Sequence, residues 1–498
     1  MSTMKILYYN WVDYLDDEHR GGGVTVYQRN LMHSWDTDPD IQEVFLSAGV
    51  SYDLFNRAPR WEQVRHGPTE DRARRYEIVN SGVLAPGHLS FGADTQISHQ
   101  PTVDTFLDFI DKTGPYDIIH FNNLEGLPVE VLNLKQIWQK TRVIVSLHNY
   151  YPFCSQVNLW KREAENCTDF LDGADCSTCL VHALPTRPAV VVANGLAYHL
   201  KRAGIRSGTT TFKILLRQLM RAGRFAYRLV GKLRMKRPAQ EASAKSVDRL
   251  KVGAPFRARR EKMIDALNRN ADLILCVSDA VKEIAKRYGL RPELLHTSYI
   301  GSAHARKFQE THPASSLLNE DGTLTLAYLG YMRRDKGFYF LLDALAKLPP
   351  EKAKRVHLLV GARSGDMEAI TGLNALRFRL ASLTHVDGYQ PNELDSLLAD
   401  VRVGLVPVLW EDNLPQVAIE MHARHIALLT SDRGGAKELG RYADLVHEAG
   451  SATSFEACLT RILNGEIDLD AYWAGAMAPV SMQEHTADLL RVYKSTAC

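Results

Sequence analysis

The apolar positions of this chain fall into short continuous runs, each ending in polar residues and followed by a stretch of helical periodicity. KILYYN (5–10), YDIIHFNN (116–123), RVIVSLHNYY (142–151) and ADLILCVSD (271–279) are such runs in the first half. LTLAYLGYM (324–332), RVHLLVGAR (355–363), VRVGLVPV (401–408) and HIALLTSD (425–432) repeat the form in the second. An uninterrupted apolar run of this length reads as a strand buried on both faces, the signature of a parallel sheet. VTVYQRNLMHSW (24–35) and FYFLLDALAKL (338–348) show the spacing of helices. Because the alternation occurs twice, the expected fold is α/β: two Rossmann-like doubly wound domains facing across a cleft. The expected boundaries are 1–305 for the first domain, 306–480 for the second and 481–498 for a C-terminal helix packing back on the first. The polar stretch 302–322 reads as the linker. Ligands of such sheets bind beyond the C-terminal strand ends, so the cleft is the expected site.

Residues from about 152 to 262 break the alternation and read as an insertion in the first domain. The insertion opens with CSQVNLWKREAENCTDFLDGADCSTC, which holds Cys154, Cys167, Cys176 and Cys179, four of the seven cysteines. Four thiolates can close a tetrahedral zinc site, and Cys176 and Cys179 have the usual ligand spacing; buried packing cysteines fit the same spacing. A structural zinc is the expectation if metal binds, with no ligand position left for catalysis. Further on, residues 201–237 hold twelve Lys or Arg and no acid. Phe212, Leu215, Leu216, Leu219, Ala226, Leu229 and Leu233 recur at helical spacing, and Arg217, Arg221, Arg224 and Arg228 recur on another face. That amphipathic pattern suits a helix lying in an anionic membrane surface. A helix packed on its own domain is the plainer reading, and nucleic acid is a third.

The totals change this picture little. A net charge of +2 over 498 residues excludes a protein that is basic throughout, so electrostatic function must be local. With 45% hydrophobic residues the chain has the make-up of a soluble globular protein, and no apolar run is long enough to span a bilayer. The start, MSTMKILYYN, runs straight into strand-like sequence, and the chain is expected to be cytoplasmic.

Candidate chemistry concentrates in LWEDNLPQVAIE (409–420). Asp412 ends a buried strand. Asn413 reads as a helix cap completed by Gln416, and Glu420 lies two turns into the helix. Along a helix, Asn413 to Glu420 would rise roughly 10 Å, about the span from sugar to ribose across the diphosphate of a nucleotide sugar. Free N–H groups at the helix start, Asn413 and Leu414 among them, could hold that diphosphate.

In these residues the second half resembles the retaining glycosyltransferases of family 4, which have the two-domain GT-B fold. The family's acid, seven residues and Glu appear as Asp412 and Glu420. Its Gly-Gly turn after the next strand appears as Gly434 and Gly435, and its Gly, basic run and Lys-Gly as Gly330, Arg333, Arg334 and Lys336. In the first half the match lies in the GGG of 21–23 and in VIVSLHNYYPFC. The resemblance covers most of the chain except about 180–262. It departs at Asp412, where the family usually has Glu, and at Tyr331, where Arg often follows the Gly; Arg333 or Arg334 can take over that diphosphate contact.

The resemblance implies a glycosyltransferase that moves a sugar from a nucleotide-sugar donor to a glycan acceptor, lipid-linked and destined for a polysaccharide. Transfer to a small soluble acceptor, or a scaffold that binds without turnover, are the alternatives. It implies roles for His148 facing the transferred sugar and for Asp412 and Lys336 in catalysis. Gly22, Gly23, Gly330, Arg333, Arg334, Asn413, Leu414, Glu420, Gly434 and Gly435 are the implied donor contacts. Catalysis is expected to need no metal or other cofactor, and the protein to be peripheral on the cytoplasmic face of a membrane, contacting it through about 201–237.

Overall fold

The computed structural model describes residues 3–18, 20–233 and 249–495, with side chains left aside for 224–233 and 249–250. The first sheet is built from β1 (Met4–Asn10), β2 (Ile41–Ser51), β3 (Arg60–Gln63), β4 (Arg75–Val79), β5 (Ile118–Phe121) and β6 (Arg142–Leu147). A two-stranded hairpin of β7 (Trp160–Lys161) and β8 (Glu165–Asn166) follows, and then β9 (Leu273–Cys276) and β10 (Leu295–Thr297) complete the sheet. Its order is β10-β9-β6-β5-β1-β2-β4-β3, parallel except for the β3–β4 edge. The second sheet runs from β11 (Leu324–Tyr331) through β12 (Val356–Arg363), β13 (Ser382–Val386), β14 (Val403–Val406) and β15 (Ala427–Ser431) to β16 (Val446–His447). Its order is β13-β12-β11-β14-β15-β16, parallel throughout.

All eight apolar runs of the sequence contain strands, because each is buried from both faces by helices. The strands it did not announce are β2, β3, β4, β7, β8, β10, β13 and β16. β13 alternates exposed Ser382 and Thr384 with buried Leu383, and β3 and β16 are short edge strands, so these three present no continuous apolar run. The linker stretch is not structureless, since Ala305–Glu310 is a helix.

One apolar cluster fills the first domain and continues across the seam into the inner face of the second sheet. It joins Tyr8, Phe121 and Val145 to Leu414, Ala418 and Ile419. A separate cluster around Phe338, Leu341, Val356 and Phe455 holds the outer helices of the second domain.

The chain then returns to the first domain. Ser481 and Glu484 form a capping box that starts the closing helix Met482–Lys494. At its far end the Tyr493 hydroxyl meets His120 Nδ1 at 2.6 Å and the Tyr8 hydroxyl at 3.1 Å. Arg142 donates to the carbonyls of Val492 and Tyr493 at 2.7 and 3.0 Å. Earlier in the helix, His485 Nε2 meets the Tyr27 hydroxyl at 2.8 Å. These polar contacts fix the helix in one place.

Removing the Tyr493 ring leaves a cavity and strips His120 of a partner. Tyr493→Ala is therefore expected to cost about 3–5 kcal/mol of stability, read as a lower melting temperature in a thermal scan.

Candidate active site

In each sheet the strand order reverses at one point, between β1 and β5 in the first and between β11 and β14 in the second. Loops leaving neighbouring strands in opposite directions open a crevice there. In the second domain the loop after β11 carries Arg333 to Lys336, and the loop after β14 carries Trp410 to Asn413. Gly337 joins these loops tightly: its φ is +74°, and a Cβ would lie 1.7 Å from the Pro407 carbonyl oxygen. No other residue fits, so the backbone beside Lys336 is pinned to the end of β14.

Lys336 Nζ lies 2.6 Å from Asp412 Oδ2, and the ammonium sits 4.9 Å from the centre of the Trp410 ring. The Asp412 side chain is 9% exposed and that of Lys336 is 24% exposed, so the pair is shielded while the cation keeps an opening. An ammonium on an aromatic face beside a carboxylate is held in place without being used up, since Lys has three donors.

The first domain supplies the facing wall. His148 follows β6, and its Nε2 donates to Asn122 Oδ1, at 3.3 Å, beyond the end of β5. Its ring packs on Tyr27 at 5.1 Å. Burial, with His485 nearby, lowers its pKa to about 3, so the ring is neutral at ordinary pH. The Tyr150 ring meets the Trp410 ring edge-on at 6.4 Å, one aromatic from each domain. Gly21, Gly22 and Gly23 start the first helix, Gly22–Trp35. Gly23 approaches the second domain, where a Cβ would stand 3.1 Å from Gln416 Cγ. Asn122 Nδ2, the Tyr150 hydroxyl, Trp410 Nε1 and Asn413 Oδ1 are buried with no protein partner among the described residues. A polar ligand between the domains would satisfy such groups.

The structure revises several expectations. Asn413 does not cap a helix: the helix is Gln416–His422, and its N-cap residue is Pro415, without a side-chain cap. Asn413 instead spans the seam. Its carbonyl accepts from the Ser278 hydroxyl at 2.7 Å, and its Nδ2 donates to the Leu147 carbonyl at 3.4 Å. Pro415 explains the shift, because proline favours extended backbone in the residue before it. Leu414 is buried in the shared core rather than at a helix start. Gly434 and Gly435 lie against the loop that bears Asp412. A Cβ on Gly434 would be 1.9 Å from the Asp412 carbonyl oxygen, and Gly435 N donates to that oxygen at 2.9 Å. Their visible work is to hold the Asp412 loop.

Arg333 pairs with the neighbouring Asp335 through two bonds of 2.9 and 2.7 Å. Arg334 pairs with Glu368 at 2.7 Å and stacks over Tyr339. Neither is bound to Asp412; Lys336 is, and Arg433 pairs with the neighbouring Glu411 at 3.2 Å. Gly330, near the end of β11, faces open space. Glu420 is partly buried, accepts from the Tyr389 hydroxyl at 3.2 Å, and lies 3.8 Å from His304 Nε2. Burial raises its carboxyl above the usual range. His120 is a core residue with both ring nitrogens bonded, to Tyr493 and to Ser146.

Sequence reasoning assigned no role to Trp410, Tyr150, Asn122 or Glu411. The Glu411 carboxylate accepts from Asn166 Nδ2 at 3.0 Å and Gly434 N at 3.1 Å, tying the insertion's hairpin to the Asp412 loop. An aromatic and a second acid beside Asp412 at a strand end was the signal available.

Cys154, Cys167, Cys176 and Cys179 gather in one corner, where burial and then repulsion from neighbouring thiolates raise the pKa of Cys167, Cys176 and Cys179. Burial is the larger cause and pushes Cys167 up to about 11 and the last two to about 12. Among the described residues, no three His, Cys, Asp or Glu side chains are placed to hold a metal ion. Cys179 Sγ accepts from Gln156 at 2.9 Å, and Cys167 Sγ donates to the Asp169 carbonyl at 3.6 Å.

Comparison with known proteins agrees with this architecture. Residues 323–465 match the family model "Glycosyl transferases group 1", which spans Gly330, Lys336, Asp412, Glu420, Gly434 and Gly435. A search of the curated proteins finds no match. Among solved structures, the chain is similar to the lipopolysaccharide outer core galactosyltransferase WaaB in its apo form, at TM-score 0.56 and 12% identity, covering 98% of this chain and 99% of that one. HepE of Anabaena in complex with UDP aligns at TM-score 0.54 and 12% identity, over 99% and 100% of the two chains. Sucrose-phosphate synthase of Thermosynechococcus elongatus aligns at 0.52 and 15%, over 99% and 98%. The fold is the GT-B fold of glycosyltransferases. Within the second domain, residues 323–465 are similar to the group 1 glycosyl transferases.

Burial lowers His120 and His148 to about 3 and His485 to about 4. The unfolded chain takes up protons on these groups below roughly pH 6.5, and the folded chain does not. Their contribution to stability is therefore full above that pH and is lost as the pH falls toward 4. Melting temperatures measured from pH 8 to 4 are expected to be level at first and then to drop below about pH 6.5.

Proposed function

We propose that this protein is a retaining glycosyltransferase of the hexosyl-transferring class. It would take a sugar from a nucleotide-sugar donor and attach it to a glycan acceptor, lipid-linked and destined for a polysaccharide, at a membrane surface. The observation that carries the reading is the placement of the Lys336–Asp412 pair. It stands at the reversal point of the second sheet, one residue from Asn413, which is bonded to the residue before His148. The group 1 glycosyl transferase match over 323–465 supports the reaction class. The UDP complex of the structurally similar HepE supports a nucleoside diphosphate leaving group.

Lys336 would face the donor diphosphate, which gains negative charge as the bond from the sugar's anomeric carbon to the phosphate oxygen breaks. A fixed cation beside that charge stabilises the transition state more than the ground state. Asp412 would hold Lys336 and accept hydrogen bonds from sugar hydroxyls, and Glu420 would do the same for the ribose. The acceptor hydroxyl attacks the anomeric carbon from the face the phosphate leaves, and its proton passes to the departing phosphate oxygen. His148, neutral at working pH, would bond a sugar hydroxyl from the opposite wall. Tyr150 and Trp410 would contribute their unpaired donors to the same sugar.

Three measurements test this. A panel of nucleotide sugars is expected to include a donor that raises the melting temperature and releases nucleotide on incubation with glycan acceptor. If none does either, the reading is wrong. Lys336→Gln, which can still bond Asp412, is expected to lower turnover roughly 100-fold or more with the fold intact. Glu420→Ala is expected to weaken nucleotide binding about tenfold or more by calorimetry; unchanged affinity would remove Glu420 from the site.

A further inference from the structure

Within the insertion, the helix Arg187–Arg202 is bound to the first domain on several sides. Arg202 pairs with Glu62 at 3.0 Å, Lys201 with Glu18 at 2.9 Å, and Arg206, just beyond, with Asp17 at 3.4 Å. Its Gly195 packs on Leu54, and Gly208 packs on the Asp17 carbonyl. The next helix, Thr210–Leu233, behaves differently. Phe212 seats its first turn and is 2% exposed, but from Lys213 to Gly223 no side chain is buried.

Ile214, Leu215 and Leu219 are 52, 37 and 40% exposed, and Leu216 and Met220 are only partly covered. Leu215 and Leu219 are one helical turn apart, so they share a face, with Leu216 and Ala222 flanking it. Lys213, Arg217 and Arg221 follow at the same spacing on another face. Among the described residues none of these three cations has a carboxylate partner, in contrast to Lys201, Arg202 and Arg206. The packed-helix reading of the sequence is thus not what the structure shows. The helix leaves the domain after its first turn with an apolar face and an unneutralised cationic face both in solvent.

An exposed apolar face flanked by unpaired cations matches one kind of surface, which is apolar inside and negatively charged outside. We infer that Thr210–Gly223 docks this protein on a bilayer containing anionic lipid, with Leu215 and Leu219 entering the acyl boundary and Lys213, Arg217 and Arg221 lying among the headgroups. The geometry also gives the docked molecule an orientation. The root of the helix rests on Asp17, through Gly208 and Arg206, and the Asp17 loop continues into Gly21–Gly23 at the mouth of the cleft. The bilayer would therefore lie on the side from which a lipid-linked acceptor approaches. This orientation rests on the proposed function; lipid binding itself does not.

The test is sedimentation of the full-length protein with vesicles. Binding is expected with phosphatidylcholine vesicles containing about one third phosphatidylglycerol, not with phosphatidylcholine alone, and should weaken at least tenfold as salt is raised from about 0.05 to 0.5 M. Arg217→Glu with Arg221→Glu is expected to weaken binding about 100-fold or more, and Leu215→Ser with Leu219→Ser at least tenfold. All four positions are exposed, so melting temperature and any nucleotide-induced shift should stay unchanged. Failure of the wild type to sediment with anionic vesicles at low salt overturns the inference. So does undiminished binding by both variants. Binding to a short RNA or DNA duplex in place of the vesicles would assign the cationic face to nucleic acid and overturn it equally. None of these outcomes bears on whether a donor nucleotide binds, so failure here is distinct from failure of the transferase reading.

Discussion

The cleft depends on how backbone groups at the C-terminal ends of two sheets satisfy one another across the seam. Asn413 is the central member, with its carbonyl on the Ser278 hydroxyl and its side-chain amide on the Leu147 carbonyl. Beside it, the Glu438 carboxylate accepts from the backbone N–H groups of Asp279 and Ala280 at 3.0 and 2.7 Å. A carboxylate at the start of a helix meets otherwise unpaired donors and the positive end of the helix dipole. Ser278 serves both sides, capping its own helix at Val281 and donating to Asn413. Because these polar groups are largely buried, separating the domains would expose each to a loss unless water replaced the partner. The seam thus sets the position of the loops on either side, and with them the spacing of His148, Tyr150, Trp410 and Lys336.

The same constraint accounts for the chemistry placed next to it. A loop held by Gly337 on one side and by Gly434 and Gly435 on the other has little freedom, so Lys336 and Asp412 are fixed before any ligand arrives. Preorganisation of this kind removes the need to reorient charges during reaction. It also explains why Arg333 and Arg334 are engaged elsewhere: two further free guanidiniums beside a shielded Lys336 would repel it, and Asp335 and Glu368 neutralise them instead.

The fold was legible wherever the apolar runs were continuous, as in β1, β5, β6, β11, β12, β14 and β15, because burial on both faces leaves a direct mark on sequence. It was illegible where burial was one-sided or the strand very short, as in β3, β13 and β16. The site was legible as a set of residue types at strand ends but not in its local geometry. Asn413 has the identity of a helix cap and sits three residues before Gln416, yet Pro415 starts the helix later and frees Asn413 for the seam. Tyr150 and Trp410 carry no pattern that separates a cleft-facing aromatic from a core one, since only the packing of two domains brings their rings together.

The insertion shows the same division between composition and placement. Read as sequence, residues 201–237 are a single cationic tract. In the structure its first part is structural, with Lys201, Arg202 and Arg206 spent on Glu18, Glu62 and Asp17. Those pairs are partly exposed, so each adds little stability by itself. Together they fasten the insertion to the edge strand β3 and to the β1 loop, and that fastening is what gives the following helix a fixed direction. The acids that could have neutralised Lys213, Arg217 and Arg221 are absent from their helix and from the surface around them among the described residues. A chain with nearly balanced overall charge has thus kept one helix unbalanced, and has placed it at the end of an anchor leading to the glycine loop of the cleft.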